Sequence, residues 1–539
     1  MTRLGFALLL CVALCGAGQL SPRREEWAST WTGWDASLQL NASGVCLRPW
    51  QTQTDGGPLL AERFWPPELA LAGVAAHSPG SWRLLLDKLN AGLPLTLLAF
   101  GSSIVEGHAG CWADSAETLE QAGVASVPPG MNRSLAESGR CVRYGWASEL
   151  MAAINASWPH PQHLLVNAGR SAANLNSFAN YICIDGWVPH EGIDMLLLET
   201  HDGRSGLDEK ADNATARDIE RLYFLTLEKQ PPRVAPLPVL LFNMWPLLPS
   251  SSPDTPGASC VRLMGANCSA CGGGSQFGER LRAATVVGGN GTAEDAVHRL
   301  ARHHGWTSLS MRDTLAFGLS SGEPARLGWS EYEWLVGWMK DWTHPGPQGK
   351  RLVADMLVGL LAETQALVEN SSFASALQPE AVAPLIPGVE APSLRKCAEG
   401  TQLAVSRADG WHYVQMEVVK GAPVYKPGWL ANTSGAVLEF EVNTRMYALA
   451  KEARVQLSLQ HLSSFERMGV AQVSCVGKCV CAPAQLDGHS TDPEHVSIEK
   501  ELVLSVTQTR HCLVRLEVLA ETRSGEHKVK LLGYTVIGG

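Results

Sequence analysis

Two short segments hold the residue types that a serine hydrolase needs. Ser103 lies in LLAFGSSIVEG, a glycine-flanked turn directly after an apolar run. Much later in the chain, DWTHPGPQG carries Asp341 three residues before His344. A serine hydroxyl attacks a carbonyl carbon only when a histidine takes its proton, and that histidine needs an acceptor on its other nitrogen. These three side chains therefore predict nucleophilic acyl chemistry if the fold brings the two segments together.

Such chemistry also requires hydrogen-bond donors for the oxyanion of the tetrahedral intermediate. Backbone N–H groups in glycine-containing turns commonly supply them. The N–H groups of Ser103 and of Gly169, in HLLVNAGR, are the candidates. Asn167, two residues before Gly169, either contacts the substrate or caps the turn that follows the apolar run.

The segments that position these residues alternate between two patterns. Near-continuous apolar runs are typical of strands buried on both faces, and they read PLTLLAFG, HLLVNAG, DMLLLETHD and PVLLFNMWP. Helical spacing of apolar residues occurs between and after them, in RYGWASELMAAINAS, ATARDIERLYFLTLEK and KRLVADMLVGLLAET. Strands that alternate with helices predict a parallel sheet with crossover helices. The polar residues at the strand ends then fall in the crevice where such sheets bind ligands.

Four of these polar segments together resemble a known family. FGSSIV, NAG, HDG and DWTHP are similar, in order and in type, to the four signature blocks of the SGNH (GDSL-type) hydrolases. The resemblance covers about residues 94–364 and implies a flavodoxin-like three-layer α/β/α fold with ester hydrolysis. It assigns Ser103 as the nucleophile, Gly169 as the second-block oxyanion glycine, and Asp341 with His344 as the fourth-block pair.

The sequence departs from the family pattern at two positions. Ser102 stands where an aspartate usually precedes the nucleophile. His201 replaces the third-block asparagine that donates to the oxyanion, and it is followed by the expected Asp202. Loss of one oxyanion donor can lower kcat by roughly 10²–10³. Because a histidine can donate from either ring nitrogen, His201 is the expected substitute.

The size and composition of the chain indicate more than one globular domain. Its 539 residues exceed what one hydrophobic core usually supports. A hydrophobic content of 45% with 18% charged residues is typical of folded proteins. The net charge of −10, without runs of Lys or Arg, argues against nucleic acid as a partner.

Changes in composition predict five segments. A Pro/Ala/Ser-rich stretch separates the α/β region from a C-terminal region of alternating strands, which indicates an antiparallel β-sandwich. The predicted segments are a signal peptide at 1–18, an N-terminal extension at 19–81, a hydrolase domain at 82–369, a linker at 370–394 and a sandwich-like domain at 395–539.

The N-terminus predicts secretion. One early arginine, a short apolar segment and small residues near position 18 form the pattern of a cleaved signal peptide. Neither this segment nor any later one is long enough to be a stable membrane anchor. Eight Asn-x-Ser/Thr sequons favour a glycoprotein of a eukaryotic secretory pathway.

The cysteines fit an oxidising compartment. Seven lie between Cys46 and Cys271, and five lie from Cys397 to Cys512. Two odd counts predict either one disulfide between the two halves, with Cys397 the expected link, or a free thiol in each half. The CVGKCVC segment could hold zinc, but disulfides are the favoured interpretation in a secreted chain.

The sequence thus predicts a secreted SGNH-type serine esterase, with no metal or organic cofactor. Its expected substrates are small acyl esters, including acetyl esters on glycans or cell-wall polysaccharides. Two alternatives use the same fold: a catalytically weak or inactive glycan-binding glycoprotein, suggested by His201, and an acyltransferase with the same catalytic residues. The sequence does not indicate the oligomeric state.

Overall fold

A computed structural model describes most of the chain from residue 67 onward. The described residues are 67–106, 112–113, 124–125, 142–143, 146–170, 173, 175–180, 182–200, 209–231, 237–243, 293–327, 347–370, 383–386, 389, 395–419, 422–447, 449–491 and 497–538. The predicted signal peptide lies outside them, as does the long cysteine-containing loop after β8.

A seven-stranded sheet forms the centre of the N-terminal unit. Its strands are β1 (Val74–Ala76), β2 (Thr96–Phe100), β4 (Val124–Ala125), β6 (Leu164–Asn167), β7 (Met195–Thr200), β8 (Val239–Asn243) and β9 (Thr307–Ser310). Two further short strands, β3 (Trp112–Ala113) and β5 (Val142–Arg143), pair only with each other. All four apolar runs of the sequence form strands, and the residues of β7 and β8 are buried throughout.

The order along the sheet is β1-β9-β8-β7-β2-β6-β4. Every neighbouring pair is parallel except β1 with β9. The chain therefore leaves β2 for β6 on one side and then crosses to β7 on the other side. Such a reversal brings the carboxyl ends of adjacent strands to one crevice. Strand β1 comes from residues that the predicted boundary at 81 assigns to the N-terminal extension.

Helices cover both faces of this sheet. They are α1 (Pro67–Ala72), α2 (Pro79–Asn90), α3 (Ser103–Glu106), α4 (Trp146–Ser157), α5 (Leu175–Asn180), α6 (Glu209–Glu228), α7 (Ala293–His304), α8 (Met311–Ser320), α9 (Glu323–Leu327) and α10 (Pro347–Asn370). One hydrophobic core contains residues of α2, α4 and α10, and the other contains residues of α5, α6 and α7. Alternate residues of β2 point into the two cores, so both of its faces are buried.

The C-terminal unit consists of two packed antiparallel sheets. One contains β10 (Arg395–Glu399), β12 (Trp411–Val419), β13 (Ala422–Ala431), β15 (Arg454–Ser463), β18 (Ile498–Thr507) and β20 (Val529–Ile537). The other contains β11 (Ala404–Asp409), β14 (Val437–Val442), β16 (Val470–Gly477), β17 (Ala484–Asp487) and β19 (Cys512–Val518). Their inner faces share a single core. The predicted architecture, an α/β unit followed by a β-sandwich, is confirmed.

Disulfides join cysteines within the sandwich and across the two units. Within the sandwich, Cys475 bonds to Cys481 and Cys479 bonds to Cys512, so the CVGKCVC segment forms disulfides. Across the units, Cys183 bonds to Cys397 over a sequence separation of 214 residues. The prediction that Cys397 links the two halves is therefore confirmed.

Part of the predicted linker is attached to the α/β unit. The carboxylate of Glu220, on α6, accepts hydrogen bonds from the N–H groups of Leu385 and Ile386 at 2.6 and 3.0 Å. The same carboxylate is 2.6 Å from Nε2 of His304, on α7. These bonds fix where the chain leaves the α/β unit for the sandwich.

Within the part of the chain that the structure describes, no helix is both long enough and apolar enough to cross a membrane.

Candidate active site

Three adjacent strands end where the sequence places its unusual polar residues. Strand β2 lies between β6 and β7 in the sheet, and all three run in the same direction. Ser102 and Ser103 follow β2, and Gly169 follows β6. Glu199 is the second-last residue of β7. The parallel order therefore brings these segments to one edge of the sheet, as the sequence predicts.

The turn after β2 is held by a buried carboxylate. Oε2 of Glu199 accepts hydrogen bonds from the backbone N–H and from the hydroxyl of Ser102, both at 2.8 Å. The Ser102 oxygen in turn accepts from the N–H of Ile104 at 3.1 Å. Ser102 and Glu199 are 4% and 1% exposed, so this hydroxyl is committed to the turn. Of the two serines, only Ser103 is left as a candidate nucleophile.

Glu199 places a carboxyl group next to Ser102, the position where the family pattern has an aspartate. The sequence reasoning missed this residue, although a glutamate inside the apolar run LLLETHD is an available signal, because a buried carboxylate needs bonded partners. Charge-assisted hydrogen bonds of this kind are stronger than neutral ones. The acid that position 102 lacks is thus present on the neighbouring strand.

Only glycine fits at position 101, because Glu199 and α3 occupy the space that a side chain would need. A Cβ atom at this position would lie 2.4 Å from Val105 Cγ2 and 2.7 Å from Glu199 Oε2. Both distances are shorter than real Cβ contacts. The glycine therefore allows the carboxylate to reach Ser102, and α3 begins immediately afterwards at Ser103.

The turn after β6 is built around the side chain of Asn167. Its Oδ1 accepts from the N–H of Gly169 at 2.9 Å, and its Nδ2 donates to the carbonyl of Val105 at 2.8 Å. Asn167 is 6% exposed. It therefore caps this turn and ties it to α3, which is one of the two roles that the sequence suggests for it.

Backbone bonds fix the same turn against the end of β2. The N–H of Ala168 donates to the carbonyl of Ala99 at 2.8 Å, and the N–H of Arg170 donates to the carbonyl of Gly101 at 3.0 Å. The Gly169 turn and the Ser102 turn are thus directly bonded to each other. The side chain of Ser103 lies outside the described residues, as do His201, Asp202, Asp341 and His344.

A second group of serine, histidine and carboxylate lies in the interior. Nδ1 of His298 is 2.9 Å from Oγ of Ser308, and its Nε2 is 3.5 Å from Oε1 of Glu294. The Ser308 oxygen also accepts from Nδ2 of Asn243 at 3.0 Å. All four residues are at most 5% exposed. A substrate has no access to this serine, so the group stabilises the packing of α7 on β8 and β9.

The α/β unit with its attached sandwich corresponds to a known two-domain architecture. The sequence matches no protein family profile, and no curated relative is found. Among solved structures, the chain is similar to a two-domain esterase (CEX) active on acetylated mannans, with 14% identity and a TM-score of 0.50. The match covers 87% of this chain and 99% of that one.

The same esterase co-crystallised with mannopentaose gives a TM-score of 0.51 at 15% identity, over 87% of this chain and 98% of that one. At this identity the similarity establishes the fold of both units.

Proposed function

We propose that the protein is an SGNH-type serine esterase that removes short acyl groups, acetyl above all, from glycans. The observation that carries the proposal is the direct bonding of the Ser102–Ser103 turn to the Gly169 turn at the ends of β2 and β6. Two further facts support it. With β1 and β4 set aside, the strand order is that of a flavodoxin-like sheet. The fold also matches, over both units, an esterase active on acetylated mannans.

In the proposed reaction His344 takes the proton of Ser103 as the hydroxyl oxygen attacks the ester carbonyl, and Asp341 stabilises the resulting imidazolium. His344 then gives the proton to the glycan oxygen as its bond to the acyl carbon breaks, so the glycan leaves as an alcohol and the acyl group stays on Ser103. Water, activated by the same histidine, releases the acyl group from Ser103. No step of this reaction requires a metal ion or an organic cofactor.

The oxyanion is proposed to bind the N–H groups of Ser103 and Gly169 together with His201. The Gly169 N–H already donates to Asn167, so the oxyanion shares this donor in a bifurcated hydrogen bond. His201 is proposed to donate a third hydrogen bond from its ring. Asp202 is proposed to support His201 in the loop after β7.

We further propose that the protein is secreted and that its segments follow the boundaries predicted from the sequence. A glycan ester is the proposed substrate class because the sandwich is attached next to the site and because mannan esters are the substrates named for the similar structure. Acyl transfer to a sugar hydroxyl instead of water needs no other residue. Measurement of free acetate against acetylated sugar separates the two reactions.

The test is hydrolysis of p-nitrophenyl acetate and butyrate, followed by acetate release from acetylated mannan. We expect turnover by the natural protein and only background with Ser103→Ala or His344→Ala. A fluorophosphonate probe followed by peptide mapping is expected to label Ser103 and not Ser102, because the Ser102 hydroxyl is bonded to Glu199. Folded protein without turnover or labelling would refute the proposal and favour the glycan-binding alternative.

A further inference from the structure

The residue after Gly169 connects the candidate active site to the sandwich. Arg170 is on the loop after β6, yet its guanidinium contacts two glutamates of the C-terminal unit. Its Nη1 is 3.2 and 3.1 Å from the two carboxylate oxygens of Glu399, at the end of β10. Its Nε is 2.6 Å from Oε1 of Glu499, on β18. One arginine thus connects the turn that holds a proposed oxyanion donor with two strands of another unit.

These contacts lie in a largely desolvated environment. The side chains of Arg170, Glu399 and Glu499 are 16%, 19% and 5% exposed. Ion pairs at the surface of a protein hold their partners weakly because water competes for them. Where water is excluded, the loss of one partner leaves an uncompensated charge, so the arrangement is held firmly. The guanidinium of Arg170 therefore has a fixed place in the sandwich.

The surface of the sandwich is shaped to let the two carboxylates converge. Glu399 of β10 is the register partner of Gly533 on β20. Strand β20 lies between β10 and β15 in the sheet. A Cβ atom at Gly533 would be 2.9 Å from Cγ of Glu399. The missing side chain allows Glu399 to lie over the sheet towards Arg170. The approach of Glu399 to Arg170 is thus built into the sheet.

Other bonds keep the two units in place around this point. Oε1 of Glu399 also accepts from the N–H of Cys183 at 3.0 Å, and Cys183 forms the disulfide to Cys397. The guanidinium of Arg395 donates to the carbonyl of Ile182. The two units are thus covalently joined two residues from Glu399.

We propose that Arg170 is a positioning residue, and that the sandwich, through Glu399 and Glu499, fixes the Gly169 turn in its active geometry. This inference rests on the proposed esterase function. The backbone of Arg170 is bonded to Gly101 and its side chain to the sandwich, so the turn is held from both ends of one residue. A displacement of about 1 Å at a reacting centre can cost on the order of 10²-fold in rate. The C-terminal unit is accordingly a part of the catalytic apparatus.

The experiment compares Arg170→Met with Arg395→Met in the full chain. Both substitutions remove an arginine that crosses the same interface, but only Arg170 adjoins the Gly169 turn. With p-nitrophenyl acetate we expect Arg170→Met to lower kcat by about 10- to 100-fold with KM changed less than about threefold. Arg170→Lys is expected to recover part of the loss, and Arg395→Met to stay within about threefold of the natural kcat.

The outcomes separate this inference from the proposed function. Natural protein that is no faster than Ser103→Ala overturns both. Active natural protein with an unchanged kcat in Arg170→Met overturns the positioning role alone, as does an equal loss of kcat in Arg170→Met and Arg395→Met. If Arg170→Met does not fold, Glu399→Gln takes its place, because glutamine keeps the shape and the bond from Cys183 and removes the charge. A lower kcat at constant KM is again the expected result, and an unchanged kcat is the contrary one.

Discussion

The substitution Glu499→Gln should change how the stability of the protein depends on pH. The carboxyl of Glu499 is fully enclosed between the two units, and this burial raises its pKa from 4.5 to about 7. The nearby charge of Glu399 also raises the pKa, whereas Arg170 lowers it. In the unfolded chain the same carboxyl is in water and returns to its ordinary pKa.

The sign and the size of the effect follow from the two pKa values. Between pH 4.5 and 7 the folded protein holds a proton on Glu499 that the unfolded chain has released, so the free energy of unfolding falls as the pH rises. Each unit between the two pKa values corresponds to about 1.4 kcal/mol. Glu499 therefore removes about 3 kcal/mol of stability between these pH values. Glutamine has no proton to lose, so the variant gains by this amount relative to the natural protein over the same interval.

Urea unfolding of the full chain at pH 4.5, 5.5, 6.5 and 7.5 measures the difference. Glu501→Gln is the matched control, since Glu501 is an exposed carboxyl two residues further along the same strand, where it accepts a hydrogen bond from Ser458. The reasoning is refuted if the natural protein and Glu499→Gln give parallel curves, within about 1 kcal/mol, across this range. Parallel curves would mean that the folded protein does not hold the proton of Glu499 more tightly than water does.

Three further predictions concern the turn at the site and the link between the units. Gly101→Ala should destabilise the protein by about 1–3 kcal/mol, because the new Cβ would lie 2.7 Å from Glu199 Oε2. Thermal unfolding measures this loss against the control Gly186→Ala, where nothing lies within 4 Å of the new Cβ, and equal midpoints for the two variants would contradict the prediction. Glu199→Gln should cost about 1–2 kcal/mol, since two charge-assisted hydrogen bonds become neutral; an unchanged urea midpoint would speak against this role. A non-reduced digest should yield one peptide pair joining Cys183 and Cys397 by mass spectrometry, and any other partner for Cys397 would disprove the link.

The sequence was sufficient for most of the parallel sheet. Strands β7 and β8 each begin with four apolar residues, and such a run predicts a buried strand when polar residues follow it. Strand β9 has the sequence Thr-Ser-Leu-Ser, which is too polar for the sequence pattern to predict a buried strand. Its hydroxyl groups are buried because distant residues form hydrogen bonds with them. His298 contacts Ser308, and Trp82 donates to Thr307. Hydrophobic periodicity carries no information about such partners.

The sequence predicts which backbone turns form the candidate site. It does not predict the side chains that support those turns. The glycine-containing turns at Ser103 and Gly169 stand out because each follows an apolar run. Glu199 and Arg170 could not be assigned, since their roles depend on which strand lies next to which and on the position of the sandwich. Arg170 meets Glu399 across 229 residues of sequence. No local pattern encodes a contact of that length.

The disulfide between Cys183 and Cys397 has a consequence for how the protein is made. The thiol of Cys183 is synthesised 214 residues before its partner. At roughly 5–20 residues per second, it waits on the order of ten to forty seconds before Cys397 exists. Other cysteines, including Cys111 and Cys141, precede it in the chain, so early oxidation would trap a wrong pair. Correct assembly therefore requires that Cys183 stay reduced, or be reshuffled, until the start of the sandwich has emerged.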